Sequence, residues 1–211
     1  MVFSLPLDEI VFPNPELADD DGLLAVGGDL SPDRLILAYQ HGIFPWFSEG
    51  DPILWYSPHQ RCVIYPHQIK VSKSMRLILK SNIFTVTANK AFDQVISNCA
   101  KTPRKDQPGT WITKEMQDAY NHLHDLGWAH SIEVWQHESL VGGLYGIGMG
   151  KVFCGESMFS LVSNASKVAL VYLCKEFEFE LIDCQLPNDH LLSMGAEMID
   201  RSNYMKILQK G

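Results

Sequence analysis

The sequence predicts an α+β fold in which a small N-terminal domain, residues 1–60, packs on a larger domain, residues 61–211, built round a mixed sheet. Three observations carry this reading. The first sixty residues are rich in Gly, Pro, Asp and aromatics and hold one clear helix signal, too little to bury a core unaided. The rest orders helical patterns, then a run of strand patterns, then a helix and another strand, the sequence of an antiparallel meander with a crossover. The 211 residues, 46% of them hydrophobic, suffice for one sizeable core.

The N-terminal helix is expected from Ser31, with Pro32 at its first position and Asp33 in its first turn. Leu35, Ile36 and Tyr39 form its apolar face and Gly42 its end. Around it lie turns at Gly27–Gly28, Pro45, 49–52 and Ser57–Pro58. Residues 61–65 read as a strand stopped by Pro66, 72–80 as a helix, 83–88 as a strand and 89–98 as a helix. Residues 101–113 read as a loop, and 113–127 as a helix capped by Thr113 and ended by Gly127. Strands follow at 130–136, 139–148 and 151–158, the last two joined by a turn at Met149–Gly150. A helix over 163–177, capped by Ser163 or Asn164, leads to a strand at 180–184 and a short helix at 190–195.

Several chemistries are not signalled. No apolar run approaches the roughly 20 residues of a membrane span. The N-terminus has no basic start and meets Asp8, Glu9 and Pro13 early, unlike a signal peptide. Five scattered cysteines, without a CxxC or HExxH spacing, suggest a reduced, metal-free, cytoplasmic protein. The glycines at 142–143, 146 and 148 sit within the meander rather than between a strand and a helix, so they are not a dinucleotide loop. The net charge of −8 argues against a nucleic-acid partner, DNA included, but the charge is unevenly spread. Residues 1–60 hold ten acids and one base, whereas 61–114 hold ten bases and two acids. That basic third, with Lys70, Lys73, Arg76 and Lys80, is either a phosphate-facing surface or an ordinary solvated helix.

Glu156 is the first candidate for chemistry. In a strand over 151–158 it would share a face with Val152, Cys154 and Met158, and a carboxylate on a partly buried face needs a partner. It is either half of a structural pair or an anion placed to hold an ammonium group. Asp183 and Gln185 flank Cys184 and face one side in an extended segment. Asp183 then either orients the amide, or accepts a proton through it, or caps the next turn. Trp46, Trp55 and Trp111 lie in turn-rich sequence, where they either stack on bases or anchor the small domain. No spacing favours a serine or cysteine nucleophile.

These residues sit within segments that together resemble the leucyl/phenylalanyl-tRNA–protein transferases. They are GLLAVGGDLSPDRLILAYQHGIFPWFSEGDPILWYSP at 22–58, GTWIT at 109–113, HSIEVW at 130–135 and LVGGLYG at 140–146. FCGESMFS at 153–160, NASKVAL at 164–170, LIDCQ at 181–185 and HLLSMGAE at 190–197 complete an ordered match over nearly the whole chain. The resemblance implies a small N-terminal domain on a GNAT-like acyltransferase domain. It implies transfer of Leu or Phe, and less readily Met, from aminoacyl-tRNA to proteins beginning with Lys or Arg, which creates an N-degron.

Carried over by position, Glu156 matches the acid that contacts the aminoacyl group's amine. Asp183 and Gln185 match the pair assigned to the reaction, Gln185 polarised by Asp183 to help take a proton from the attacking amine. Trp46 and Trp111 match residues round the apolar pocket and the terminal adenosine. Met149, Phe153, Ser157, Met158 and Phe177 are implied pocket positions. The basic stretch would grip acceptor-stem phosphates without reading sequence. No cofactor is expected, because the substrate ester is already activated and catalysis reduces to positioning and proton handling.

The family commonly has an arginine where this chain has Leu161, and Lys167 is the nearby base that would substitute. The competing readings are another GNAT-like acyltransferase and a non-catalytic RNA-binding or adaptor protein. The first lacks support because 160–166, SLVSNAS, is not a pyrophosphate loop, and the second because Glu156, Asp183 and Gln185 are all present. A monomer is expected.

Overall fold

The short apolar runs of the first sixty residues pair over long sequence distances. In a computed structural model that describes residues 2–102 and 110–210, β1 (Phe3–Leu5) lies parallel to β2 (Leu23–Gly27). β4 (Leu54–Tyr56) runs antiparallel to both β2 and β3 (Phe44–Pro45), giving a four-stranded sheet in the order β1-β2-β4-β3. Between these short strands most of the unit is loop and turn. Strands of two to five residues show no period, and the proline of β3 is tolerated because that strand is an edge. Trp55, expected in a turn, is fully buried on β4 and donates its indole N–H to the Gly27 carbonyl at 2.8 Å.

α1 (Pro32–Gln40) begins behind Ser31 as its proline requires, and buries Leu35 and Tyr39. The chain leaves it through Gly42 at φ +68°, where a Cβ would press on Tyr204 and Met205.

The second sheet has seven strands in the order β11-β5-β10-β9-β8-β7-β6. These are β5 (Gln60–Ile64), β6 (Thr85–Ala88), β7 (Ala129–Gln136), β8 (Ser139–Met149), β9 (Val152–Ser160), β10 (Leu181–Gln185) and β11 (Glu197–Asp200). All neighbours are antiparallel except β9 and β10, which α5 (Ala165–Glu176) joins as a crossover. The mixed α+β architecture, with a small N-terminal region against a larger mixed sheet, is therefore present.

α5 covers one face with α2 (Lys73–Lys80), which Ser72 caps by accepting from the Met75 N–H. α3 (Phe92–Lys101), α4 (Lys114–Asp125) and α7 (Arg201–Leu208) cover the other, together with the N-terminal unit. Gly142 matters to this packing, because the start of α5 crosses β8 there and a Cβ would collide with Ala165.

Smaller differences have local causes. The turn between β8 and β9 is Gly150–Lys151, one residue later than expected, because Met149 still pairs with Val152. Asn164 stands at the start of α5 but at φ +71°, and its side chain makes no capping bond. The helix expected from 89 starts at Phe92, and that expected from 190 starts one residue earlier as α6 (Asp189–Ser193), whose N-cap Asn188 accepts from the Leu191 N–H. β11 and α7 carried no recognised signal. Residues 103–109 of the expected loop, including Arg104 and Lys105 of the basic stretch and Gly109 of GTWIT, lie outside the described residues.

Candidate active site

Two β-bulges build the site. On β9, Tyr145 pairs with Ser157 and Gly146 with Gly155, so Glu156 is the extra residue. The bulge changes which face each later side chain meets. Val152, Cys154 and Phe159 pack in the core under the N-terminal unit, whereas Phe153 and Met158 pack under α5. The expectation that Met158 shares the face of Glu156 is corrected by that inserted residue. On β10, Asp183 stands opposite Val63 and Gln185 opposite Cys62, with Cys184 the extra residue and Gln185 left-handed at φ +60°.

Glu156 is 8% exposed and receives hydrogen bonds from three directions. Its Oε1 accepts from Tyr39 Oη at 2.7 Å and from Gln185 Nε2 at 2.9 Å. Its Oε2 has a longer contact, 3.4 Å from Tyr120 Oη, and the two tyrosine hydroxyls also share a short hydrogen bond. Burial lifts the Glu156 carboxyl to about 7, against the pull of those donors. Burial and the adjacent carboxylate hold both tyrosines well above the ordinary phenol range, so they remain donors. At neutral pH, Glu156 is thus poised to gain or lose a proton.

Asp183 is fully buried. Arg61 grips it with two bonds, Nε to Oδ1 at 3.1 Å and Nη2 to Oδ2 at 2.8 Å. The same guanidinium donates to the Gly42 carbonyl at 2.8 Å and lies 4.9 Å and 4.6 Å from the ring centres of Phe44 and Tyr204. Asp183 Oδ1 also accepts the backbone N–H of Gln185 at 2.8 Å. Polarisation of the Gln185 amide by Asp183 is therefore corrected. The carboxylate meets the Gln185 backbone, and the side-chain amide is spent on Glu156.

Glu156 and Gln185 open onto a cavity of about 830 Å³. One wall is aromatic, with Phe44, Trp46 and Trp111. Another is apolar, with Leu144, Phe153, Met158, Leu170, Leu173 and Ile182. Ser157 and Cys184 also line it, and Asn188, Asp189 and His190 contribute from the start of α6.

Two expected pocket positions are elsewhere. Met149 is buried at the far end of β8, and Phe177 lines a separate shallow depression with Phe179. Lys70, Lys73, Arg76 and Lys80 are exposed, and none lines the cavity. Lys167 is half-buried on α5; the cavity's His190 has its pKa lowered by its own burial and then by the Lys167 charge. Leu161 is 65% exposed.

Tyr39, Tyr120 and Arg61 were not singled out from sequence. An arginine in the apolar run Arg61–Tyr65 was the available signal, since a buried guanidinium demands a carboxylate.

Known proteins match this chain along its length. The family model described as leucyl/phenylalanyl-tRNA protein transferase matches residues 63–209, and that of its N-terminal domain matches 28–59. A leucyl/phenylalanyl-tRNA–protein transferase of Flavobacterium psychrophilum is 55% identical over 205 residues, covering 96% of this chain and 97% of that one. One from Escherichia coli O157:H7 is 54% identical over 212 residues, covering 98% and 89%. Among solved structures, a GCN5-related N-acetyltransferase from Kribbella flavida superposes with TM-score 0.38 and 11% identity over 82% of this chain and 62% of its own, too slight a likeness to bear on the fold.

Proposed function

Since the chain belongs to the leucyl/phenylalanyl-tRNA–protein transferase family, we propose that the cavity beside Glu156 is where the aminoacyl end of the tRNA meets the acceptor amine. The protein transfers leucine or phenylalanine from tRNA to the N-terminal amine of a protein. The observation that supports this placement is a buried carboxyl, close to neutral in pKa, at the meeting of an apolar and an aromatic wall.

The leucine or phenylalanine side chain enters the apolar wall of Leu144, Phe153, Met158, Leu170, Leu173 and Ile182. Such a wall rejects polar side chains strongly and sorts apolar ones weakly, since a methylene is worth about 1–3 kcal/mol. The terminal adenosine stacks against Trp46 and Trp111. The acceptor amine attacks the ester carbonyl carbon, the C–N bond forms, and the ester C–O bond breaks to release the ribose hydroxyl. Glu156, through its less occupied Oε2, holds the aminoacyl ammonium group or receives the proton that the attacking amine sheds. Gln185 fixes the other oxygen. Arg61 and Asp183 hold the Gln185 backbone and touch no reacting atom.

Ser157 lies beside Glu156 on the cavity wall and contributes polar surface there. Lys70, Lys73, Arg76, Lys80 and Lys167 take acceptor-stem phosphates, an assignment supported by their charge and, for the first four, by their exposure. The acceptor begins with Lys or Arg, whose cation suits the exposed carboxylate of Asp189 at the rim, and the product is an N-degron made in the cytosol. Residues 1–60 and 61–211 act as a small domain and a catalytic domain, the second GNAT-like in its meander, crossover helix and parallel strand.

The test is transfer of radiolabelled Phe from charged tRNA to a peptide starting with Arg, beside the same peptide with a blocked N-terminus, without ribosomes or ATP. Label on the free peptide, lost in Glu156→Ala with the fold retained, supports the placement. Full activity in Glu156→Ala removes Glu156 from the mechanism.

A further inference from the structure

Cys62, Cys154, Cys174 and Cys184 are free thiols, and the reaction above uses none of them. Two are brought together by the bulge that aims Gln185. Cys184 is the inserted residue of β10, so Cys184 and Gln185 both stand against Cys62 of β5. Both side chains belong to the side of the sheet under α5 and are close enough to shift each other's ionisation, while the Cys184 thiol donates to the Ile182 carbonyl at 3.8 Å. Cys62 is fully buried, whereas Cys184 is half-buried and lines the cavity. One sulfur is thus reachable from the substrate cavity and its partner is sealed directly behind it.

We propose that Cys62 and Cys184 form an oxidisable dithiol, a modification site for hydroperoxides, whose disulfide switches off transfer by displacing Gln185. Pairing with Cys184 lowers the Cys62 thiol, while that pairing and burial hold the Cys184 thiol well above the ordinary range, so Cys62 ionises first and its thiolate takes the Cys184 proton as Cys184 reacts. The cavity-side sulfur of Cys184 attacks one peroxide oxygen. The O–O bond breaks, one oxygen stays on Cys184 as a sulfenic acid, and the other leaves as hydroxide and takes up a proton. The Cys62 thiol then attacks the Cys184 sulfur. The S–S bond forms, the S–O bond breaks, and water leaves with the Cys62 proton. Two thiols are oxidised by two electrons in all, and one peroxide is reduced to two waters.

Closing the two thiols to a covalent bond of about 2 Å draws Cys184 towards β5. The next residue is Gln185, held at φ +60° with its amide 2.9 Å from Glu156. A misplacement of about 1 Å at such a site costs on the order of 100-fold in rate. The loss of transfer rests on the function proposed above, but the formation of the link does not.

The experiment treats the full chain with hydrogen peroxide, blocks remaining thiols, digests with trypsin without reduction and measures transfer on the same sample. Cys62, Cys174 and Cys184 fall in separate tryptic peptides, 62–70, 168–175 and 176–201. Expected are a linked 62–70/176–201 species, a fall in transfer of about 100-fold, and recovery of both with dithiothreitol. Cys62→Ala should keep full basal transfer and stop at a dimedone-trapped sulfenic acid on 176–201. The proposal is overturned if 62–70 and 176–201 stay unlinked, if Cys184 links instead to Cys174, which also lies near it, or if the expected link forms with transfer unchanged. Should Cys62→Ala fail to fold, peptide mapping of the native chain still decides. Absence of transfer before any oxidant would overturn the proposed function and leave the link to be judged by mass alone.

Discussion

Replacing Glu156 by glutamine should stabilise the protein while abolishing transfer, and the gain should depend on pH. Burial raises this carboxyl from 4.5 to about 7. Between those values the unfolded chain has already lost the proton that the native state still holds, so stability falls as pH rises. Each pH unit of that gap is worth about 1.4 kcal/mol, and the whole gap about 3 kcal/mol. The cost is absent below about 4.5, accumulates up to about 7 and stays constant above it. Glutamine carries no charge at any of these pH values and keeps an oxygen for Tyr39 and Gln185. Glu156→Gln and the native chain should therefore be of similar stability near pH 4.5, with the variant ahead by about 3 kcal/mol at pH 8. Urea unfolding of both at several pH values, with equal slopes against denaturant, measures this. A stability difference that does not change between pH 5 and 8 would refute the reasoning, because the carboxyl would then not be held neutral by burial.

Arg61→Met should destabilise by about 3–5 kcal/mol, since it strands Asp183 without its cation. A double variant with Asp183→Leu should recover part of that in urea unfolding but not transfer, because the Gln185 N–H still lacks its acceptor; additive losses would refute the pairing. Leu170→Phe narrows the apolar wall, so transfer of Phe should fall about tenfold more than transfer of Leu in a competition assay. Equal losses would remove Leu170 from side-chain selection. Trp111→Ala should weaken use of aminoacyl-tRNA by about 1–3 kcal/mol if the ring stacks on the terminal base. Unchanged saturation with charged tRNA would leave it a packing residue.

Much of this site was readable where chemistry and local pattern agree. A glutamate in the apolar run of β9 had to be paired, and it is. The helix behind Ser31–Pro32 and the strand stopped by Pro66 follow from proline's missing N–H and fixed φ. What escaped is what pairing across the chain decides. Tyr39 reads as one more apolar position on α1, and only the fold brings its hydroxyl to Tyr120 and Glu156, 81 and 117 residues away. The bulges escaped for the same reason. An inserted residue is defined by the strand opposite, so alternation read along β9 or β10 alone puts Met158 and Gln185 on the wrong terms with their neighbours.

The small N-terminal unit contributes directly to the cavity proposed above. It supplies Tyr39 to Glu156, the Gly42 carbonyl to Arg61, and Phe44, Pro45 and Trp46 to the cavity wall. A second buried arginine fastens the same seam from the C-terminal side. Arg201 donates to the Ser57 carbonyl at 2.7 Å and to Glu16 at 2.8 Å, as Arg61 does to Gly42 and Asp183. Each guanidinium satisfies one carboxylate and one loop carbonyl, so neither the loop nor the strand can shift without stranding a buried charge. That arrangement holds Glu156 rigidly between a helix of one unit and strands of the other. A carboxyl lifted to about 7 requires such rigidity, because water admitted by a loose seam would return it to the ordinary range and remove its readiness to exchange a proton at neutral pH.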